Sequence, residues 1–235
     1  MQLKVDVVFI PALLCDEQLY RKVIDVSSTQ ISPAVMMSSK PTLADSCTDI
    51  LARAPSRFVL VGTSYGGNLA IEIALAAPKR VLGLWLMGCD PGTPRQDWPD
   101  IARALEVMPD GVIDMLAGLV VCATDTASVS AFRQMAARVG NTAGAAQARA
   151  LASRDNQAAR LGELSMPTLL TWGAEDSLVP PTVGEAMAKR IVNAVLHVLD
   201  GCGHLPTLEK PDQTAALLSG LIERVLAASA TSRYL

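Results

Sequence analysis

The sequence predicts an α/β fold in which a mainly parallel sheet of about six strands has helices on both faces. Short β-rich apolar runs alternate with longer helical patterns along the chain, which is typical of parallel sheets. Several of these runs, such as 58–61, are almost continuously apolar, as expected of strands that are covered on both faces. The chain has 235 residues and 50% of them are hydrophobic, which is enough for the core of one large domain.

The expected elements follow this alternation. Strands are predicted at 3–10, 31–37, 57–61, 81–87, 168–172 and 194–199. Helices are predicted at 16–26, 43–54, 67–77, 183–190 and 213–228. Residues 91–165 break the pattern, because this segment has apolar residues at helical spacing and no convincing strand.

We therefore predict a core formed by residues 1–90 and 166–235, with a helical cap inserted at residues 91–165. A cap in this place would lie over the carboxyl ends of the strands, where open α/β sheets bind ligands. The alternative is a helical excursion that only completes the core.

The composition argues against several classes of protein. Lys and Arg number 20 and Asp and Glu 23, so the net charge of −3 leaves no basic surface for nucleic acid. The five cysteines are dispersed and odd in number, which favours a reducing compartment over a disulfide framework. The N-terminus lacks signal-peptide features, and no apolar run is long enough to span a bilayer. We expect a cytoplasmic protein without nucleic-acid or membrane partners.

The most informative stretch places Ser64 in a Gly-x-Ser-x-Gly pattern, Gly62 to Gly66, between an apolar strand and an apolar helix. A sharp turn here would strain the serine backbone, and close packing would require glycine two residues before and after it. The hydroxyl would then stand near a helix N-terminus, whose dipole favours developing negative charge. This context predicts that Ser64 is a nucleophile. The alternative is an ordinary serine in a glycine-rich turn.

A serine nucleophile needs a base, and the chain offers only two histidines. His197 lies inside an apolar strand and is expected to be structural, whereas His204 lies in the glycine-rich loop that follows that strand. Asp176 follows an earlier strand and is the predicted orienting acid, with Glu175 as its rival. The resulting chain order, Ser64, Asp176, His204, is one that Ser-His-Asp enzymes with a nucleophile elbow use.

Taken together, these motifs resemble the α/β-hydrolase superfamily, in particular its small bacterial esterase-like members with a helical cap. The resemblance extends from Val7 to Leu221. The motifs that carry it are Gly62-Thr63-Ser64-Tyr65-Gly66, Trp172-Gly173-x-x-Asp176 with Val179-Pro180, and Gly203-His204 with Glu209 and Pro211.

The resemblance also implies an oxyanion hole made by the backbone N–H groups of Leu13 and Tyr65. Family members usually have His-Gly where this chain has Pro11-Ala12, so the loop must adopt a conformation that alanine tolerates. Members also usually carry two more strands before this loop, so we expect about six strands rather than eight.

The expected activity is that of a serine hydrolase, which cleaves a small or acyl-chain carboxylic ester through an acyl-enzyme. It would need no metal or organic cofactor, and its partner would be a small ester-like molecule. A thioesterase or enol-lactone hydrolase with the same triad remains open, as does a non-catalytic binding or sensor protein on this fold.

Cys15 and Cys202 flank the expected site, but neither lies on a nucleophile elbow, which favours a role in buried packing. The glycine spacing argues against dinucleotide binding.

Overall fold

The computed structural model describes residues 4–94, 99–122 and 124–231. Their six strands are β1 (Val5–Ile10), β2 (Ile31–Val35), β3 (Phe58–Thr63), β4 (Val81–Met87), β5 (Thr168–Gly173) and β6 (Ala194–Leu199). They form one sheet in the order β2-β1-β3-β4-β5-β6, and every neighbouring pair is parallel. The predicted six-stranded parallel sheet is therefore confirmed. Leu3, the first residue of the first predicted strand, lies outside the described residues.

The helices cover both faces of this sheet, as predicted. They are α1 (Arg21–Ser27), α2 (Leu43–Arg53), α3 (Tyr65–Ala76), α4 (Ile101–Val107), α5 (Pro109–Val120), α6 (Thr126–Val139), α7 (Asn141–Ala152), α8 (Pro181–Ala188), α9 (Pro206–Glu209) and α10 (Pro211–Thr231). Two short 3₁₀ helices, Glu17–Leu19 and Ala158–Glu163, complete the set in the described residues.

Two hydrophobic cores lie on opposite faces of the sheet, because successive side chains of a strand point to opposite sides. Val7 and Phe9 of β1 join the core that contains α1 and α10, whereas Val8 and Ile10 join the core that contains α2 and α3. All six residues of β3 are buried, which explains why this strand is apolar without alternation. The strand that leads to Ser64 is thus held from both sides.

The segment between β4 and β5 forms the helices α4 to α7, and its described part contains no strand. Leu105 and Phe132 of this segment share a hydrophobic core with Leu14 and with Trp85 of β4. The helices therefore pack on the same side of the molecule as the loop that follows β1. The division of the chain into a core and a cap remains a prediction.

The observed bounds differ from the predicted ones by a few residues at several element ends. The predicted helix 16–26 is split, because the Asp16 carboxylate accepts a hydrogen bond from the Gln18 N–H and starts a separate 3₁₀ helix. The helix α3 begins at Tyr65, two residues earlier than predicted, since the turn at Ser64 leads into it directly. No described helix combines the length and the apolar character that crossing a membrane requires.

Candidate active site

Ser64 is the single residue between β3 and α3, and its backbone is strained. Its φ of 56° and ψ of −117° lie in a region that residues other than glycine rarely occupy. The Ser64 N–H donates a hydrogen bond to the Met87 carbonyl at 2.8 Å, which ties the turn to the end of β4. A strained residue held in this way is characteristic of functional sites.

The structure shows why glycine flanks the serine on both sides. A Cβ atom on Gly62 would lie 2.2 Å from the Gly66 carbonyl oxygen, and one on Gly66 would lie 2.1 Å from the Ile10 carbonyl oxygen. Both contacts are with backbone, which has no flexible end that could move aside. The turn at Ser64 and the end of β1 therefore pack more closely than any side chain would permit.

His204 and Asp176 form a buried pair. The distance between His204 Nδ1 and Asp176 Oδ2 is 2.7 Å, and the two residues are 2% and 4% exposed. The other carboxylate oxygen accepts hydrogen bonds from the N–H groups of Leu178, at 3.0 Å, and Val179, at 2.9 Å. With the carboxylate as acceptor, Nδ1 carries the imidazole proton and Nε2 keeps a lone pair.

The rival acid, Glu175, holds the backbone that leads to this histidine. Its two carboxylate oxygens accept hydrogen bonds from the N–H groups of Gly201, at 3.0 Å, and Cys202, at 2.7 Å. These backbone hydrogen bonds lower the pKa of the Glu175 carboxyl below its usual range. Glu175 and Asp176 are adjacent, and they contact the same loop at two places. Asp176 binds the imidazole of His204, whereas Glu175 binds the backbone two and three residues before that histidine.

Glu209 holds the same loop from the other side and joins it to the segment that follows α5. Its Oε2 atom accepts from the N–H groups of Gly203 and Cys122, both at 2.9 Å. The His204 N–H donates to the Val120 carbonyl at 3.1 Å. Burial raises the pKa of the Glu209 carboxyl. The sequence marked Glu209 only as part of a motif, because its contact with Cys122 spans 87 residues of chain.

The loop after β1 presents the predicted oxyanion donors. The N–H groups of Leu13 and Tyr65 have no hydrogen-bond acceptor among the described residues. Ala12 avoids the left-handed backbone region, which among the described non-glycine residues only Leu14, with a φ of 61°, and Ser64 occupy. The substitution of alanine for the usual glycine is thus tolerated because the unusual conformation lies two residues later.

A cavity of about 660 Å³ brings most of these groups together. Leu13, Ser64 and His204 line it, and Asp176 lies behind the imidazole. Within the described part of the chain, the Ser64 hydroxyl has no hydrogen bond to His204. The other walls are mainly apolar, and α4 to α7 supply much of their surface. The polar members are Asn68, Asp90, Asp100, Arg149, Ser153 and Arg154.

The cysteines near the site are poor candidates for nucleophiles. Cys15 and Cys202 are fully buried, and burial raises the pKa of both thiols well above the usual range. Each thiol therefore stays protonated near neutral pH. The described residues also contain no cluster of three or more His, Cys, Asp or Glu side chains that could hold a metal ion.

Comparison with known proteins identifies the family to which the chain belongs. A model of the alpha/beta hydrolase family matches residues 32–217, and the chain belongs to this family. The matched region contains Ser64, Asp176 and His204, and it leaves the loop after β1 outside.

Two curated relatives illustrate the range of proteins to which the chain is similar. It is 32% identical over 161 residues to a 2-hydroxy-6-oxononadienedioate/2-hydroxy-6-oxononatrienedioate hydrolase of Paraburkholderia xenovorans, a match that covers 63% of this chain and 56% of the relative. It is 28% identical over 192 residues to a pimeloyl-[acyl-carrier protein] methyl ester esterase of Nitrosomonas europaea, covering 75% and 76%. The chain thus spans little more than half the length of the first relative.

A solved structure supports the fold independently. The enol-lactonase from Burkholderia xenovorans LB400 superimposes with a TM-score of 0.85, covering 94% of this chain and 92% of the other. The two sequences are 15% identical, so this likeness concerns the fold alone.

Proposed function

We propose that this protein is a serine hydrolase that cleaves a carboxylic ester through an acyl-enzyme on Ser64. The observation that carries the proposal is the buried hydrogen bond of 2.7 Å between His204 and Asp176, on an imidazole that lines the same cavity as Ser64. An imidazole held with Nδ1 protonated presents the basic nitrogen that a serine nucleophile needs.

In the first half of the reaction, the Ser64 hydroxyl attacks the ester carbonyl carbon while its proton passes to His204 Nε2. The negative charge that develops on the carbonyl oxygen is held by the N–H groups of Leu13 and Tyr65. The tetrahedral intermediate collapses, the carbon–oxygen bond to the leaving alcohol breaks, and the imidazolium returns its proton to that alcohol. The acyl group remains on Ser64.

In the second half, His204 takes a proton from a water molecule as that water attacks the acyl carbon. The second intermediate collapses with proton return to Ser64, releasing the carboxylic acid. In this scheme the hydrogen bond between Ser64 and His204 forms in the substrate complex, because catalytic hydrogen bonds commonly tighten only when the substrate is bound. No step requires a metal or an organic cofactor.

The cavity favours an acyl group that is mainly apolar. Leu116, Phe132 and Leu205 lie among its walls, and α4 to α7 supply much of the surface. This contribution supports the assignment of residues 91–165 as a cap that shapes the substrate site. The Nitrosomonas relative, an esterase by name, supports ester substrates as a class.

We also propose a cytoplasmic location, which is supported by five free cysteines among the described residues, four of them buried.

The test is hydrolysis of p-nitrophenyl esters of increasing acyl length by the purified protein, with a thioester and an enol lactone added to define the acyl class. We expect saturable release of p-nitrophenol that Ser64→Ala abolishes. Ser130→Ala, which changes an exposed serine on α6, is the matched control and should keep full activity. Full activity of Ser64→Ala would overturn the proposal. Absence of turnover on every substrate would favour the non-catalytic binding protein instead.

A further inference from the structure

The loop that presents the Leu13 N–H is held by the inserted helices as well as by a turn of its own, in which the Cys15 N–H donates to the Ala12 carbonyl at 3.0 Å. Leu14, the next residue, is buried and adopts a left-handed backbone with a φ of 61°. Its N–H donates a buried hydrogen bond to Gln147 Oε1 of α7 at 3.1 Å. Gln147 is itself only 2% exposed, so this bond is protected from water.

The surface of α7 is shaped around Leu14. A Cβ atom on Gly144 would lie 2.4 Å from Leu14 Cδ2, so the leucine side chain packs where another residue would have a side chain. Gly144 and Gln147 are three residues apart and therefore share a face of the helix. One face of α7 thus accepts both the side chain and the N–H of the same residue.

A second contact holds the end of the loop. The Asp16 carboxylate is buried and binds both the Nε atom of Arg138, at 2.6 Å, and its Nη2 atom, at 3.2 Å. Arg138 lies in the last turn of α6. The two-point geometry of an arginine with a carboxylate fixes orientation as well as distance. The loop is therefore anchored to α7 at Leu14 and to α6 at Asp16.

We propose that Gln147 is a positioning residue for the oxyanion hole, acting through Leu14 on the N–H of Leu13. This proposal rests on the function proposed above. Leucine adopts a left-handed backbone only where its surroundings enforce it. Because the loop is anchored at Ile10 and Asp16, relaxation of Leu14 must be compensated by neighbouring peptides, including the one that carries the Leu13 N–H. Gln147 supplies the acceptor that prevents this relaxation.

The contact with Gln147 supports a loop that has Pro11 and Ala12, and therefore no glycine, directly after β1. Glycine at residue 12 would allow the loop backbone to adopt an unusual conformation without support from distant parts of the chain. Here Ala12 keeps an ordinary backbone, and a side chain 133 residues from Leu14 in the sequence stabilises the unusual conformation. The inserted helices therefore contribute to the catalytic geometry as well as to the substrate cavity.

The test compares Gln147→Met, which keeps the length of the side chain and removes the oxygen, with Gln147→Glu, which keeps an acceptor. Gln134→Met, on the exposed face of α6, is the matched control. We expect Gln147→Met to lower kcat about tenfold or more with KM changed less than about twofold, because the oxyanion contact is made in the transition state. Gln147→Glu should recover most of kcat, and Gln134→Met should match the unchanged protein.

Each outcome decides the inference. A wild-type kcat for Gln147→Met, in a protein whose Ser64→Ala variant is inactive, would overturn the positioning role and leave the hydrolase intact. Equal losses in Gln147→Met and Gln147→Glu, with melting temperatures lowered to the same extent, would assign Gln147 to stability alone. If the unchanged protein hydrolyses none of the esters and Ser64 reacts with no active-site probe, both proposals fail together.

Discussion

The Glu175 carboxylate accepts a hydrogen bond from the backbone N–H of Cys202, with 2.7 Å between oxygen and nitrogen. Cys202 lies two residues before His204, so this bond fixes the backbone from which the imidazole projects. The next residue after Glu175, Asp176, binds the imidazole itself at 2.7 Å. The segment that follows β5 thus holds both the ring and its supporting loop.

Glu175→Gln should lower stability in a pH-dependent way. Backbone hydrogen bonds hold the pKa of Glu175 below its usual 4.5, so its charged form stabilises the fold above that pH, and the contribution disappears as the pH falls through the lowered pKa. Glutamine keeps one acceptor oxygen and places an NH₂ group against the second N–H. We therefore expect a melting temperature a few degrees lower at neutral pH, with the difference closing in acid.

The control for this experiment is Glu223→Gln, which changes an exposed carboxylate on α10. Thermal unfolding of all three proteins should be followed at a series of pH values from neutral to about pH 3. A difference between Glu175→Gln and the unchanged protein that stays constant across the series would show that the charge has no role in holding the loop.

Asp176→Asn should abolish most of the turnover while leaving the fold in place. The asparagine oxygen can still accept from Leu178 and Val179, but its amide favours the wrong tautomer of His204. A loss of about 10⁴-fold in kcat is expected from the same change in a Ser-His-Asp enzyme. Steady-state hydrolysis of a p-nitrophenyl ester measures this, and Glu175→Gln should lose less than tenfold under the same conditions. Similar losses in both variants would contradict separate roles for the two carboxylates.

Gly66→Ala should destabilise the protein, because the added methyl group would lie 2.1 Å from the Ile10 carbonyl oxygen. Moving that backbone displaces the loop after β1 and the turn at Ser64 together, at a cost of roughly 1–3 kcal/mol in the free energy of unfolding. Urea denaturation measures the change. The matched control is Gly118→Ala in α5, where the added carbon would meet no atom within 4 Å apart from its chain neighbours and the backbone of its own helix. This control should be neutral or gain up to about 1 kcal/mol from helix propensity.

Tyr20→Phe should weaken the junction between β1 and β3. The buried hydroxyl lies 2.8 Å from the Ile10 carbonyl oxygen and 2.8 Å from Thr63 Oγ1, directly before Ser64. Its removal takes one hydrogen bond from each of two buried oxygen atoms, and a loss of about 1–3 kcal/mol in the free energy of unfolding follows. A double-mutant cycle with Thr63→Val isolates the bond between the two side chains. Strictly additive losses would show that this bond contributes nothing.

The fold was largely predictable because its signals are local. Each strand is a short apolar run, and burial of all six residues of β3 removes the alternation that marks a half-exposed strand. The three polar residues proposed for the triad were also predictable, since each follows a strand whose carboxyl end meets the same edge of the sheet. The predicted helix bounds were less accurate near Tyr20, which separates a 3₁₀ helix from α1, and near Ser64, which separates β3 from α3.

The supporting contacts were not predictable in the same way. Gln147 with Leu14, Arg138 with Asp16, and Glu209 with Cys122 join parts of the chain that are 133, 122 and 87 residues apart. No local pattern marks such pairs, because they depend on how α5, α6 and α7 pack over the loops. The sequence pattern indicates Ala12 as the residue on which the backbone conformation of the oxyanion loop depends. In the structure, the residue with a left-handed backbone is Leu14.

The most direct test of the central claim is the reaction of the folded protein with a fluorophosphonate, followed by mass spectrometry of the intact chain and its peptides. A nucleophilic Ser64 displaces fluoride and gains a stable phosphonyl group, provided that His204 accepts the proton. The account predicts one adduct per chain, on Ser64, with Ser64→Ala unlabelled and His204→Ala labelled far more slowly. An unlabelled folded protein, or an adduct on another residue, would contradict it.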